Sequence, residues 1–382
     1  MAVEDGPKSN RWTGRVHAAV IIVSWLIAAV FAWKMVRISI GRFEANRASD
    51  FYYFWDAGAN VLAGHAARAY TTHAIPGSFL FPLPHPPPFL LVAAPLALLP
   101  LQLSLLLFLG LTGVAYVLTA RQPVRLALAN PTAAYNVKWA QTGFLTSSIL
   151  FGGVNWIAKR PLVAGAILGL MVIKPHLALL IPVALAAGRH GKAFAAAAAS
   201  VAVQVALAAI AFGPSIYLAW WKSIAHFEGA LEVQFWRWTD LSSTYAFLRW
   251  WGLNTYAAYA GQTLTAIGAA LLVARSWRQD WSSKAAVLAA ATMLVPPYLC
   301  SHDAVMMVVP LGLIAARSAW RAAIVWFLLL VPWFNVTMMN PALLPFDLTG
   351  GPDTTPIAAA LSLLFLWQER AKDQSSLRIV SS

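Results

Sequence analysis

Apolar runs of bilayer length recur from one end of the chain to the other, and short basic loops separate them. A backbone in lipid must satisfy its own polar groups, and runs of this length do so as helices. The first run, Val16 to Val36, is on the order of 20 residues, the length of a spanning helix. Lys8, Arg11 and Arg15 precede it, as in a signal peptide, but Trp33-Lys34-Met35-Val36-Arg37 follows in place of a small-residue cleavage site. The expectation is an uncleaved first helix with residues 1–15 in the cytoplasm.

Composition agrees. The chain is 60% hydrophobic and 11% charged, whereas soluble domains carry about a quarter charged residues. In a soluble protein the net charge of +13 would suggest nucleic acid. Here the Lys and Arg residues sit mostly in short loops, where they set topology and attract anionic lipid heads. Cys300 is the only cysteine, which excludes an intramolecular disulfide, a thiolate zinc site and an iron–sulfur cluster.

Two stretches are too polar to span, at about 37–85 and 213–254. The first holds Ser49 to Gly64, in which Phe51, Phe54, Trp55, Gly58, Val61 and Leu62 recur at helical spacing. This predicts a short helix on the membrane surface with Asp50 at its entrance, and with Tyr53, Asp56 and Asn60 on another face. The prolines between Phe81 and Pro88 then form a rigid extended entry to the next segment. Phe89 to Thr119, broken at Pro95 and Pro100, reads as a short or re-entrant piece followed by a full helix. Val137 to Ile157 reads as one span. Pro161 to Ala187 is apolar around a central Lys174-Pro175-His176, and Ala195 to Phe212 spans cleanly. The remaining spans are about Thr255 to Val273, Lys284 to Leu299, Ala304 to Ala316, Ala322 to Phe334 and Pro356 to Trp367. The basic loops at Arg275 to Lys284 and Arg317 to Arg321 are placed inside, which puts both large polar stretches outside. The expected fold is an all-α polytopic membrane protein, one domain over 16–369 with a cytoplasmic tail at 370–382. It has roughly ten to thirteen membrane pieces, some short or re-entrant.

Four signals carry chemistry. Asp50 is either a helix cap or a general base at the mouth of a cleft. Lys174, a cation inside an apolar run, either snorkels to the interface or pairs with a phosphate. His302, beside Asp303 in Pro296 to Asp303, is either structural or orients a phosphate or a proton path. Asn136 and Gln141 are either caps, interhelical hydrogen bonds or ligand contacts. His302 has no neighbours at metal-ligand spacing, so no metal site is proposed. Phosphate-cradling glycine loops, dinucleotide fingerprints and nucleic-acid modules do not appear, so a nucleotide-sugar has no visible binding element.

The order of these motifs resembles glycosyltransferase family 87. It runs from the Asp50 helix with Ala59-Asn60-Val61-Leu62-Ala63-Gly64 and Tyr70, through Phe81 to Pro88, Pro95-Leu96 and Leu99-Pro100. Gln141, Gly165 to Gly169 before Lys174-Pro175, and Pro296 to His302 complete it. The chain departs from the family pattern at Ala140-Gln141, at Cys300-Ser301 and at the Leu83-Pro84-His85 insert. The resemblance implies a GT-C fold with its active site on the outer face of the plasma (inner) membrane, similar to polyprenyl-phosphate-mannose-dependent mannosyltransferases. It implies an inverting enzyme with Asp50 as catalytic base, a mannosyl or other hexosyl polyprenyl-phosphate donor, a lipid or glycan acceptor and no cofactor. His302, Lys174 and Arg237 are its candidates for the donor phosphate, with Gln141 as a further substrate contact. Asp56, six residues from Asp50 on a different helix face, is secondary, either an acceptor contact or a hydrogen-bond partner of Asn60. The competing class is a transporter or flippase for a lipid-linked sugar. That class needs charge within the spans, and Lys174 and His176 are all the sequence offers there.

Overall fold

A computed structural model of the chain describes residues 50–75, 78–232, 238–337 and 351–381, together with Ile22, Val23 and Leu26. Apart from those three, which are helical, the expected first span lies outside the described residues, as does Arg237.

The helix expected from Asp50 onward forms. Helix α1, Asp50–Leu62, buries Phe51, Phe54, Ala57 and Gly58. Leu62 does not join that face and is 51% exposed. The helix stops there because Gly64, at φ +79°, turns the chain and lets the His65 N–H donate to the Asn60 carbonyl. A two-stranded antiparallel hairpin follows, β1 His73–Ile75 and β2 Ser78–Leu80, with His73 opposite Leu80. The proline strap then enters a 3-10 turn at Pro87–Phe89.

The short piece and full span also form, as α2 Leu90–Leu96 and α3 Leu101–Ala120. They hold α1 in place. Phe51 packs on Phe108 of α3 at 5.3 Å between ring centroids, and Phe54 on Phe89 at 4.9 Å. The Trp55 indole donates to the Leu99 carbonyl at 2.9 Å, in the turn between α2 and α3.

The expected single span from Val137 to Ile157 is not continuous. It is split between α5 Pro131–Trp139 and α6 Gly143–Trp156, after a short α4 Val124–Ala129. Ala140 sits between them at φ +51°. Asn136 explains the break: its carbonyl accepts from Gln141 N–H at 3.1 Å, and its side-chain oxygen accepts from Gly143 N–H at 2.8 Å. One residue ends the first helix and begins the second.

The segment around Lys174 breaks where its proline removes a donor. Helix α7, Pro161–Gly169, runs into 3-10 turns at Leu170–Ile173 and Pro175–Ala178, then α8 Leu180–Ala187. Helix α9, Gly191–Phe212, lies so close to α7 that a Cβ on Gly165 would meet the Ala193 carbonyl at 2.1 Å. Small residues allow such backbone approach in lipid.

The second polar stretch is largely helical, with α10 Ser215–Glu232 and α11 Thr244–Trp250, before α12 Thr255–Arg278. The expected span Lys284 to Leu299 is helical only as α13, Lys284–Thr292, because Pro296 and Pro297 offer no N–H to continue it. A 3-10 segment, Ser301–Met307, leads into α14 Val308–Arg317, and α15 Ala319–Thr337 and α16 Thr355–Ser381 complete the chain. Among the described residues α3, α9 and α12 are long and apolar enough to cross a membrane, and four shorter apolar helical stretches accompany them. This is an all-α membrane protein whose helices are interrupted at the places where polar side chains gather.

Candidate active site

Those interruptions converge. A cavity of about 250 Å³ lies between the start of α1, the proline strap, the α5–α6 break, the Lys174 joint and the segment from Tyr298 to Asp303. Asp50, Gln141, Lys174 and His302, drawn from four separate parts of the sequence, all line it.

Asp50 is the first residue of α1, and its carboxylate accepts a hydrogen bond from Gln141 Nε2 at 2.7 Å. Burial pushes its pKa up to about 6, against the opposing pull of that hydrogen bond and of Lys174. Gln141 Oε1 in turn accepts from Thr142 N–H at 3.2 Å, and the Thr142 hydroxyl lies 3.4 Å from Lys174 Nζ. A chain of polar contacts thus runs along the cavity wall from carboxylate to ammonium.

Lys174 does not snorkel. It is 7% exposed, and its Nζ donates to Asp303 Oδ1 at 2.5 Å with His302 Nε2 3.4 Å away. Asp303 also faces His302 Nε2 at 3.7 Å and His176 Nε2 at 4.0 Å. One buried carboxylate therefore gathers the ammonium and two imidazoles. Asp303 holds this cluster together, a role its position beside His302 hinted at without assigning it.

The backbone fixes His302 against the helix break. A Cβ on Gly143 would sit 2.2 Å from the His302 carbonyl and 2.6 Å from Asn136 Oδ1. Asn130 Nδ2 donates to the Val305 carbonyl at 3.0 Å from the other side. Gly143→Ala is expected to force α6 away from the His302 segment, costing about 1–3 kcal/mol of stability and most of the activity. A thermal melt measured beside turnover checks this.

A second support went unnoticed in the sequence. Asp353 Oδ2 accepts from the hydroxyls of Ser301 and Ser242, each at 2.6 Å, and its Oδ1 accepts from Thr355 N–H at 2.8 Å. The same carboxylate caps α16 and clamps the residue before His302. The signal was present, since Asp353 stands just before a helix beginning Thr355-Pro356.

Asp56 is not brought to the cavity. Six residues beyond Asp50, on a different face of α1, it accepts from Asn60 Nδ2 at 2.8 Å and pairs with His73 Nε2 at 2.9 Å. It ties the helix to the hairpin. Among the described residues no group of three or more His, Cys, Asp and Glu side chains is arranged to hold a metal ion.

Comparison with known families decides the class. Residues 83–301 match the model of glycosyltransferase family 87. The chain belongs to that family. Neither the curated proteins nor the solved structures yield a match. In this family 87 glycosyltransferase the matched region includes Gln141 and Lys174 and ends one residue before His302. Asp50 lies before it, joined by the hydrogen bond to Gln141.

Proposed function

We propose that this glycosyltransferase is an inverting enzyme. It moves a hexose, mannose in the leading reading, from a polyprenyl phosphate to a hydroxyl of a lipid or glycan acceptor. The observation that carries the proposal is the sharing of one cavity by a carboxylate of raised pKa and a separate Lys174–His302 cluster.

The chemistry follows from that separation. Asp50 takes the proton of the acceptor hydroxyl as its oxygen bonds to the anomeric carbon. The bond from that carbon to the phosphate oxygen breaks, and the electron pair leaves with polyprenyl phosphate. Attack opposite the leaving group inverts the centre without a covalent enzyme intermediate. The departing phosphate needs positive charge, which Lys174 supplies, and His302 is placed to add a hydrogen bond. An ammonium has three donors. One is engaged by Asp303, and the two 3.4 Å contacts leave room for phosphate oxygens.

One further observation supports a lipid-linked donor. An apolar cavity of about 240 Å³ between α7, α8 and α9 shares Pro175 with the site, as a groove for an isoprenoid chain would. The donor also carries its own anchor and leaving group, so the chain needs no nucleotide pocket. The basic loops around the other helix ends favour an outward-facing site with the N-terminus inside, and the proposed location is the plasma membrane.

The base must be ionised to accept a proton. The rate at low substrate is therefore expected to rise with pH through about 6 and level off above it, the value to which burial pushes Asp50. The direct test incubates purified protein with labelled polyprenyl-phosphate-mannose and a native lipid extract. A new mannosylated product is expected. No transfer from that donor or its glucosyl counterpart would overturn the proposal.

A further inference from the structure

His85 takes no part in the cluster just described, yet it lines the same cavity. It is 4% exposed, and both ring nitrogens are buried without a hydrogen-bond partner. Burial, with the Lys174 cation nearby, pushes its pKa well below the ordinary histidine value, so the ring is neutral. A neutral imidazole carries one N–H donor and one bare acceptor. Leaving both unmet in a buried wall is costly, and native proteins seldom tolerate it without a use.

The ring is also held still. It stacks on Phe89 at 4.2 Å between centroids and meets the edge of Phe54 at 5.1 Å. Proline flanks it on each side in Pro84-His85-Pro86. Phe54 is one helical turn from Asp50, while the charges of Lys174 and Asp303 also act on the ring. His85 therefore shares one cavity with the proposed base and the proposed phosphate cluster. In an in-line displacement the sugar must lie between those two groups, within that cavity. A phosphate oxygen only accepts, and would use one of the two nitrogens; a sugar hydroxyl both donates and accepts.

We infer that His85 is a specificity-determining residue that binds a ring hydroxyl of the donor sugar through its unpaired imidazole nitrogens. The inference rests on the transferase reading above. It is tested on the full-length protein by tryptophan fluorescence titration with decaprenyl-phosphate-mannose and, separately, with bare decaprenyl phosphate. The wild type is expected to bind the mannosyl lipid more tightly. His85→Phe keeps the stacked ring and removes both nitrogens. It should erase that preference, a loss of at least about tenfold, while leaving affinity for bare decaprenyl phosphate unchanged. His85→Asn, which restores a donor and an acceptor, should recover part of the preference. His85→Phe should also melt no lower than the wild type, since it removes unpaired polar atoms from a buried site. A preference for the mannosyl lipid that survives in His85→Phe, or is missing from the wild type, would overturn the inference, whatever happens to acceptor use. Absence of transfer in a wild type that still shows the His85-dependent preference would instead count against the proposed reaction alone.

Discussion

Asp50→Asn is expected to abolish sugar transfer while leaving a folded, membrane-inserted protein. The amide oxygen still accepts from Gln141, so the local geometry at 2.7 Å survives. What disappears is the basic oxygen that takes the acceptor proton. Loss of a general base typically costs about 10²–10⁴ in rate. The same substitution has an opposite effect on stability. Asp50 has a folded pKa raised to about 6 from 3.8, so the fold binds its proton more tightly than the unfolded chain does. The stability this gives is complete below pH 4 and is lost as pH rises through 6. Above that, the ionised carboxylate strains the fold. Asp50→Asn should therefore melt higher than the wild type at pH 8, by at most about 3 kcal/mol at roughly 1.4 kcal/mol per pKa unit. The gap should close near pH 4. An inactive variant that is also less stable at pH 8 would point to a structural carboxylate.

The second large effect is at Lys174. Removing its charge by Lys174→Met leaves Asp303, which is 2% exposed, without its ammonium partner. Breaking a buried pair from one side costs about 3–5 kcal/mol because the remaining charge is stranded. The double variant Lys174→Met with Asp303→Asn removes both charges and is expected to regain most of that stability. It should not regain activity, because no cation remains for the leaving phosphate. Melting temperatures and turnover of the two single variants and the double variant separate the roles. If the double variant recovered transfer, Lys174 would be structural.

Much of this site was legible in the sequence because its parts coincide with helix breaks. Lys174-Pro175 and Pro296 to His302 each stand out as polar residues beside prolines in or at the end of an apolar run, and Asp50 stands out at the entrance of a helix with an aromatic face. Membrane helices tolerate such residues only for a reason. The aromatic spacing after Asp50 gave α1 almost to its end. The α5–α6 break escaped notice because Val137 to Ile157 is apolar enough to continue as a helix. It is stopped by Asn136, whose side chain folds back onto Gly143, a tertiary choice that no local propensity records. Asp303 and Asp353 were undervalued for a related reason. Their importance lies in partners 129 and 52 positions away, Lys174 and Ser301. His85 looked like an insert in a proline run, and only its burial against Phe54 and Phe89 shows it to be part of the wall. Asp56 takes the more modest of its two readings: its helix face carries it away from Asp50, to the hydrogen bond with Asn60 and on to His73.

The central claim is that Asp50 and the Lys174–His302 cluster bind opposite ends of one reaction. The most direct measurement is a cryo-EM structure of the Asp50→Asn variant with bound polyprenyl-phosphate-mannose. The expected map places the phosphate against Lys174 and His302, the anomeric carbon between that phosphate and residue 50, and the isoprenoid chain past Pro175 along α7, α8 and α9. A donor phosphate bound elsewhere, with this cavity empty or its sugar turned away from residue 50, would contradict the account.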